Sequence, residues 1–344
     1  MAEKILFVCG SLNQTTQMHK IAQQMGNYNC FFTPYYTDGI IDQAAQLGLL
    51  DFSGLRGRHY NDTRDYLAKN NLPLDWRGEK HDYDLVVTCS DLLEQNNLRG
   101  KRRVLVQEGI TEPEGLVYKL VRALKLPRYL ANTACIGLSN SNYYDVFCVA
   151  SKGYRDLFVR KGVRPEKIAI TGIPNFDNLQ EANNNSFPHK DFVLVATTPL
   201  RESMRYDNRW AFLKKCVNIA NGRKLIFKLH PNELVGRAKW EIETAAPGAL
   251  VLTHGNVNEM IANAAVVITQ QSSCTFVAVG LGKEVHTNLD INELKRLMPI
   301  QNNGKSAHYI ANVCRRVLHT PMPVLKQMRA GFRKRPRWEQ ADVI

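Results

Sequence analysis

Residues 224–233 read KLIFKLHPNE. Leu225, Ile226, Phe227 and Leu229 supply the apolar residues of a short buried strand, and the run stops at His230-Pro231. Side chains two apart on a strand share a face, so Lys228 and His230 can approach one anionic group. Pro231 has a fixed φ and no backbone N–H, which ends the strand and keeps His230 out of the sheet. Two readings stay open on these residues alone: a surface lysine with a histidine closing a turn, or a cationic grip at a strand end. The surrounding strands decide which fold they belong to.

Those strands alternate with helices. EKILFVCG (3–10) ends at Gly10, and TTQMHKIAQQM after it has helical spacing at Met18, Ile21, Ala22 and Met25. Apolar runs predict further strands over 83–90, 101–107, 145–151 and 167–172, with helices over 115–126 and 153–162. PNFDNLQEANNNSFPHKD (174–191) is polar and Asn-rich, the composition of a linker. The alternation then restarts, with strands over 192–198, 224–229, 249–254 and 265–270 and helices near 207–221, 256–264 and beyond 274. This pattern predicts an α/β protein of two Rossmann-like, doubly wound domains facing a cleft. The expected bounds are 1–180 and 190–323, followed by a basic segment, 324–344.

A chain of 344 residues is long enough for two cores. Apolar and charged fractions of 44% and 22% are those of a soluble globular protein and exclude wholesale disorder. No apolar run reaches the roughly 18 residues of a membrane span. The start reads as strand and turn rather than as a signal peptide, so a cytoplasmic protein is expected. Eight cysteines form no CxxC pair and several lie in apolar runs, which predicts buried reduced thiols rather than disulfides or zinc. The net charge of +13 favours anionic partners. Basic residues interleaved with exposed aromatics are not evident, so nucleic acid is not expected.

In such sheets ligands bind outside the carboxyl ends of the strands. That selects Gly10-Ser11 with His19 further along its helix, Gln107-Glu108-Gly109, Thr198-Pro199-Leu200-Arg201, His230-Pro231, and Gln271-Ser272-Ser273. Ser272 and Ser273 fall where a strand hands over to a helix, where free N–H groups and hydroxyls suit phosphate. An N-cap reading fits them equally. Glu108 follows an apolar strand and precedes a glycine, the place for a general base or for a solvated turn acid. His19 reads as a cleft residue or as a helix-surface histidine. Asp82-Tyr83-Asp84 spells DxD but precedes its strand, at the wrong end of the sheet for a nucleotide-bound metal. GSLNQTT is not GxGxxG and no GxxxxGK[ST] occurs, which disfavours ordinary NAD and ATP folds.

Two such halves, with KxHP and Ser-Ser in the second, resemble nucleotide-sugar glycosyltransferases of the GT-B fold. TGIPNFDNL (171–179) is similar to the segment that closes the first domain in that superfamily. Within it the chain most resembles bacterial sialyltransferases and Kdo-type capsule and lipopolysaccharide transferases. Their acidic-glycine, HP and serine motifs would be Gln107-Glu108-Gly109, His230-Pro231 and Ser272-Ser273. The resemblance implies Glu108 as catalytic base, with His230, Pro231, Ser272 and Ser273 on the donor phosphate. Lys228 and Arg201 are added as further phosphate contacts from their strand-end places, and Ser11 and His19 fall on the acceptor side. Gln107 stands where that family usually carries an acid, which bears on the donor sugar.

The activity implied is inverting, metal-independent transfer from a nucleotide-sugar, CMP-sugar-like before UDP- or GDP-sugar, to a glycan or lipid-linked acceptor. No cofactor is implied. Teichoic-acid-type polyol-phosphate transferases share the HP and Ser-Ser elements. UDP-sugar 2-epimerases share the fold, but Cys9-Gly10-Ser11-Leu12-Asn13 replaces their N-terminal signature. Two basic stretches add an expectation of peripheral contact with an anionic membrane. In 116–128, Leu116, Val117, Leu120, Val121 and Leu124 share a face flanked by Lys119, Arg122, Lys125 and Arg128. The other is KQMRAGFRKRPRW (326–338). A solvated basic helix and a loose tail are the alternative.

Overall fold

The computed structural model describes residues 2–50, 55–111, 114–138, 143–203 and 205–330. The chain divides into two compact units. One holds the described residues up to Asp177 and again from Pro299, and the other is Asn178–Met298.

The first unit is built on six strands: β1 (Lys4–Cys9), β2 (Asn29–Pro34), β3 (Leu85–Thr88), β4 (Arg102–Val106), β5 (Val146–Val149) and β6 (Ile168–Ile170). Between them lie α1 (Leu12–Gln23), α2 (Gly39–Gln46), α3 (Gly57–Lys69), α4 (Leu116–Ala123) and α5 (Lys152–Arg160). All pairings are parallel, in the order β2-β1-β3-β4-β5-β6. A parallel sheet is covered on both faces, so its central strands are almost continuously apolar. Ile5, Phe7, Leu85, Val87, Val104 and Val106 point to the face packed by Met18 and Ile21 of α1. Leu6, Val8 and Val86 point to the other, against Tyr35, Tyr36 and Tyr83.

The second unit repeats the plan with β7 (Phe192–Ala196), β8 (Leu225–Lys228), β9 (Leu250–Leu252), β10 (Ala264–Thr269) and β11 (Glu284–His286). Its helices are α6 (Arg209–Ala220), α7 (Val235–Ala245), α8 (Val257–Asn263), α9 (Cys274–Gly280) and α10 (Ile291–Leu297). The order is β11-β10-β7-β8-β9, again all parallel. Strand order therefore reverses between β7 and β10, the point at which doubly wound sheets open a crevice.

The last two helices, α11 (Ser306–His319) and α12 (Met322–Ala330), return to the first unit. Ala307, Ile310, Ala311, Cys314, Val317 and Leu318 make an apolar stripe at helical spacing that completes the first core, with Leu325 of α12 beside it. The expected second-domain limit at 323 is thus corrected to Met298, and the first boundary falls at Asp177 rather than 180. The basic segment expected over 324–344 starts inside α12, whose Arg329 is buried in a 2.7 Å bond to Asp145. Residues 331–344 lie outside the described residues.

The expected linker is also partly ordered packing, since Phe176 and Leu179 are buried. Asp177 accepts a 2.6 Å hydrogen bond from the Ser306 N–H, one of the N–H groups that α11 cannot satisfy internally. Gly172 has φ +77°, and a Cβ there would run into Ser306 and Asn302, so this turn requires glycine. All eight cysteines are free thiols, six of them buried. Burial pushes Cys9 and Cys148 up to about 12.

Candidate functional site

In the first unit the chain leaves β4 and reaches Glu108, half-buried opposite the start of α1. Ser11 is the N-cap of α1, with extended backbone and a hydroxyl that accepts from the Gln14 N–H. The same hydroxyl donates to Glu108 Oε1 at 2.8 Å, and Asn13 Nδ2 donates to that oxygen at 3.3 Å. Gln14 Nε2 donates to Oε2 at 2.6 Å. Gly10 makes room for this, because a Cβ there would collide with Gln14 Oε1. A carboxylate offers about four lone-pair positions, so three donors leave one for a further hydroxyl.

Gln107 has an internal task. Its Oε1 accepts from the Ala150 N–H at 2.9 Å and its Nε2 donates to Gly109 O at 2.8 Å. Its backbone oxygen accepts from Gln17 Nε2 at 2.9 Å. An ionised acid could not make the bond to Gly109, so the amide suits this loop. His19 lies apart from the Glu108 set. Its Nδ1 is 3.0 Å from the Tyr66 hydroxyl, its ring is edge-on to Phe32 and Tyr66, and burial lowers its pKa.

Sequence reasoning missed Asn13, Gln14 and Asn175. Asn175, from the TGIPNFDNL segment, donates to Asn13 O at 2.9 Å and to Asn13 Oδ1 at 2.8 Å. Lys20 donates to Pro174 O and Asn175 Oδ1. The signal for Asn13 and Gln14 was the polar run at the first turn of α1, and that for Asn175 was its place in TGIPNFDNL.

In the second unit, HPNE proves to be a sealed turn. Glu233 folds back so that its Oε2 accepts from the His230 N–H at 3.0 Å and from the Thr197 hydroxyl. Thr197 Oγ1 itself lies 2.9 Å from the same N–H. Asn232 N–H donates to His230 Nδ1 at 3.1 Å. An Nδ1 that accepts places the neutral ring's proton on Nε2. Glu233 is buried beside Arg209, 3.2 Å away, yet desolvation outweighs that pairing and raises its pKa.

The neighbouring cations are committed. Lys228 is buried and donates to Leu229 O at 2.9 Å and Thr253 O at 3.3 Å. The Arg201 guanidinium makes a two-pronged pair with Glu241, 2.7 Å in each arm. The His230 ring, by contrast, is set by the turn itself.

Ser272 Oγ accepts from the Cys274 N–H at 3.2 Å, while Ser273 occupies the cap position of α9 without a side-chain cap bond. Strand order puts β7 between β8 and β10, so the His230 and Ser272 ends stand about 10 Å apart by strand spacing. At the β7–β10 reversal a cleft of about 420 Å³ opens, lined by Leu200, Asp207, Phe212, Thr269, Gln270 and His286 among others. Gln270 donates to Asp207 at 3.0 Å, while its Oε1 and Thr269 Oγ1 are buried with no hydrogen-bond partner among the described residues. This cleft was not read from the sequence.

No protein-family profile matches the chain, and no curated protein matches it. Solved structures do. A UDP-GlcNAc 2-epimerase from Neisseria meningitidis bound to UDP-GlcNAc is similar over 91% of this chain and 100% of its own, with TM-score 0.55 and 9% identity. A UDP-N-acetylglucosamine 2-epimerase from Rickettsia bellii covers 95% and 99%, with TM-score 0.52 and 11% identity. These two share the α/β fold of this chain. The wall teichoic acid polymerase TagF is also similar, over 92% of this chain and 88% of its own, with TM-score 0.46 and 12% identity. At these identities the likeness is one of fold. Among the described residues no helix is long and apolar enough to cross a membrane.

Proposed function

We propose that this GT-B chain transfers a sugar from a nucleotide donor to a hydroxyl of a glycan or lipid-linked acceptor, inverting the anomeric centre without a metal. The observation that carries the reading is the sealed HPNE turn. It holds a half-buried imidazole at the carboxyl end of β8, with Nδ1 accepting and Nε2 protonated. Such a ring donates a hydrogen bond to a phosphate oxygen and steadies the charge that develops as the nucleotide leaves. Ser272 and Ser273, across the end of β7, supply hydroxyl and backbone donors to the same ligand.

Glu108 is the base for the acceptor hydroxyl, its carboxylate aimed by Ser11, Asn13 and Gln14 with one lone pair remaining. The donor belongs to the second unit and the acceptor to the first. A CMP-sugar is the first donor to try, in keeping with the HP and Ser-Ser pattern. The other two readings are a CDP-polyol phosphotransferase of teichoic-acid type and a UDP-sugar 2-epimerase. The epimerases similar in fold keep the second in play.

Thermal shift with CMP-, CDP-, UDP- and GDP-linked donors separates the three, followed by donor consumption with and without added acceptor. A transferase consumes a sugar nucleotide quickly only when acceptor is present. Conversion of a UDP-sugar with no acceptor would replace this reading by epimerisation, and stabilisation by CDP-glycerol alone would replace it by polyol-phosphate transfer.

A further inference from the structure

Helix α4 uses little of its apolar surface to hold its place. Of its eight residues only Tyr118 and Val121 are buried, against Ala131, Ala134 and Cys135. Val121 therefore leaves the shared face expected from sequence and joins the protein. Leu116, Val117 and Leu120 are 85%, 60% and 55% exposed, and Leu124 just past the last turn is 61% exposed. At about 100° per residue these four fall within roughly a third of the circumference, beside the buried pair. Tyr129 and Leu130, in the next turn of chain, extend the exposed apolar surface. A contiguous apolar patch of this kind marks an interaction surface.

Charge says what covers it. Lys119 and Lys125 are exposed to either side of the patch, while Arg122 falls on the far side of the helix and donates to the Tyr118 hydroxyl at 3.0 Å, and no acid occurs over 115–130. Arg128, expected to flank the face, instead turns inward and clamps Asp91 at 2.9 Å. A second exposed apolar group, Ile40, Leu47 and Leu49 around α2, is accompanied by Asp38 and Asp42 and by no cation over 38–50. Of these two faces, the α4 face is the one that joins apolar and cationic groups. Leucines that reach the acyl boundary and lysines whose stems let the ammonium stay at the headgroups are the composition of a helix lying in the plane of a bilayer.

We propose that the exposed face of α4 docks on an anionic lipid surface. Leu116, Val117, Leu120 and Leu124 enter the interface, and Lys119 and Lys125 meet lipid phosphates. This surface is independent of the transfer chemistry above and stands or falls without it.

The test is flotation of the full chain with phosphatidylcholine vesicles and with vesicles that are about one-third phosphatidylglycerol. The parent should partition onto the anionic vesicles and come off as salt is raised. Combining Leu116→Ser, Leu120→Ser and Leu124→Ser should lower that partition at least about tenfold, with an unchanged melting temperature because these side chains are exposed. Lys119→Glu with Lys125→Glu should lower partition onto anionic vesicles and leave neutral ones unaffected. Parent that ignores anionic vesicles overturns the proposal. So does a serine variant that binds like the parent, since the basic 326–338 stretch then carries the contact. A lipid-free dimer that the serine variant loses also overturns it, assigning the face to a second copy.

Discussion

Glu108 and His230 are held by different means and should fail in different ways. Glu108→Gln keeps the shape of the Ser11, Asn13 and Gln14 cradle but removes the proposed base. Turnover should fall roughly 100-fold or more, the usual scale for losing a general base. Donor affinity should stay near that of the parent, because the proposal puts the carboxylate on the acceptor side. His230→Ala removes the proposed phosphate contact, so nucleotide binding should weaken by about 1–3 kcal/mol, with turnover falling as well. Titration calorimetry beside initial rates reads both. A Glu108→Gln variant with parental turnover moves the base elsewhere. A His230→Ala variant with parental affinity leaves HPNE as a stiff strand end sealed by Glu233.

At the level of elements, the best-defined pH signal sits at the entry to β6. Lys167 is buried, donates to Tyr144 O at 3.0 Å, and is lowered by burial from its ordinary 10.5 to about 8. Between those values the folded chain has lost this proton while the unfolded chain keeps it. The unfolded state then binds more protons, so this group makes stability rise with pH from about 8 to 10.5. Below that window both states carry the charge, and the fold bears its desolvation. Lys167→Met removes the proton, and with it the slope. Urea midpoints measured across the window should show the parent gaining on the variant as pH rises. A constant difference between the two would mean that Lys167 keeps its proton in the fold.

For the whole molecule, the DxD of Asp82 and Asp84 settles at the amino edge of the first sheet. Asp82 pairs with Lys101, and Asp84 accepts from the Lys4 N–H at 2.8 Å. Among the described residues no group of three or more His, Cys, Asp or Glu is placed to hold a metal ion. On the proposed reading, in which His230 and the Ser272-Ser273 turn meet the leaving phosphate, transfer should persist in EDTA. Activity lost in EDTA and restored by manganese or magnesium would show that a metal serves the donor.

Sequence alone was enough for the doubly wound class and for most central strands, because strands buried on both faces must be nearly all apolar, and KILFVC, VLV and LIF show it directly. It placed Glu108, His230 and Ser272 at strand ends by the same logic. Two of the four edge strands escaped: β2 reads NCFFTP and closes on a proline, and β11 reads EVH with one apolar residue, so neither carries the apolar run by which β6 and β9 were recognised. The return of α11 to the first unit was likewise invisible, since an apolar stripe says that a helix is covered but not by which sheet. Only the tertiary structure showed that Lys228 and Arg201 are taken by carbonyls and by Glu241, that Val121 faces inward while its neighbours face out, and that Gln270 opens a cleft beside β7. Which partner satisfies a polar group is decided by side chains that meet across elements far apart in the chain, and no local pattern records those meetings.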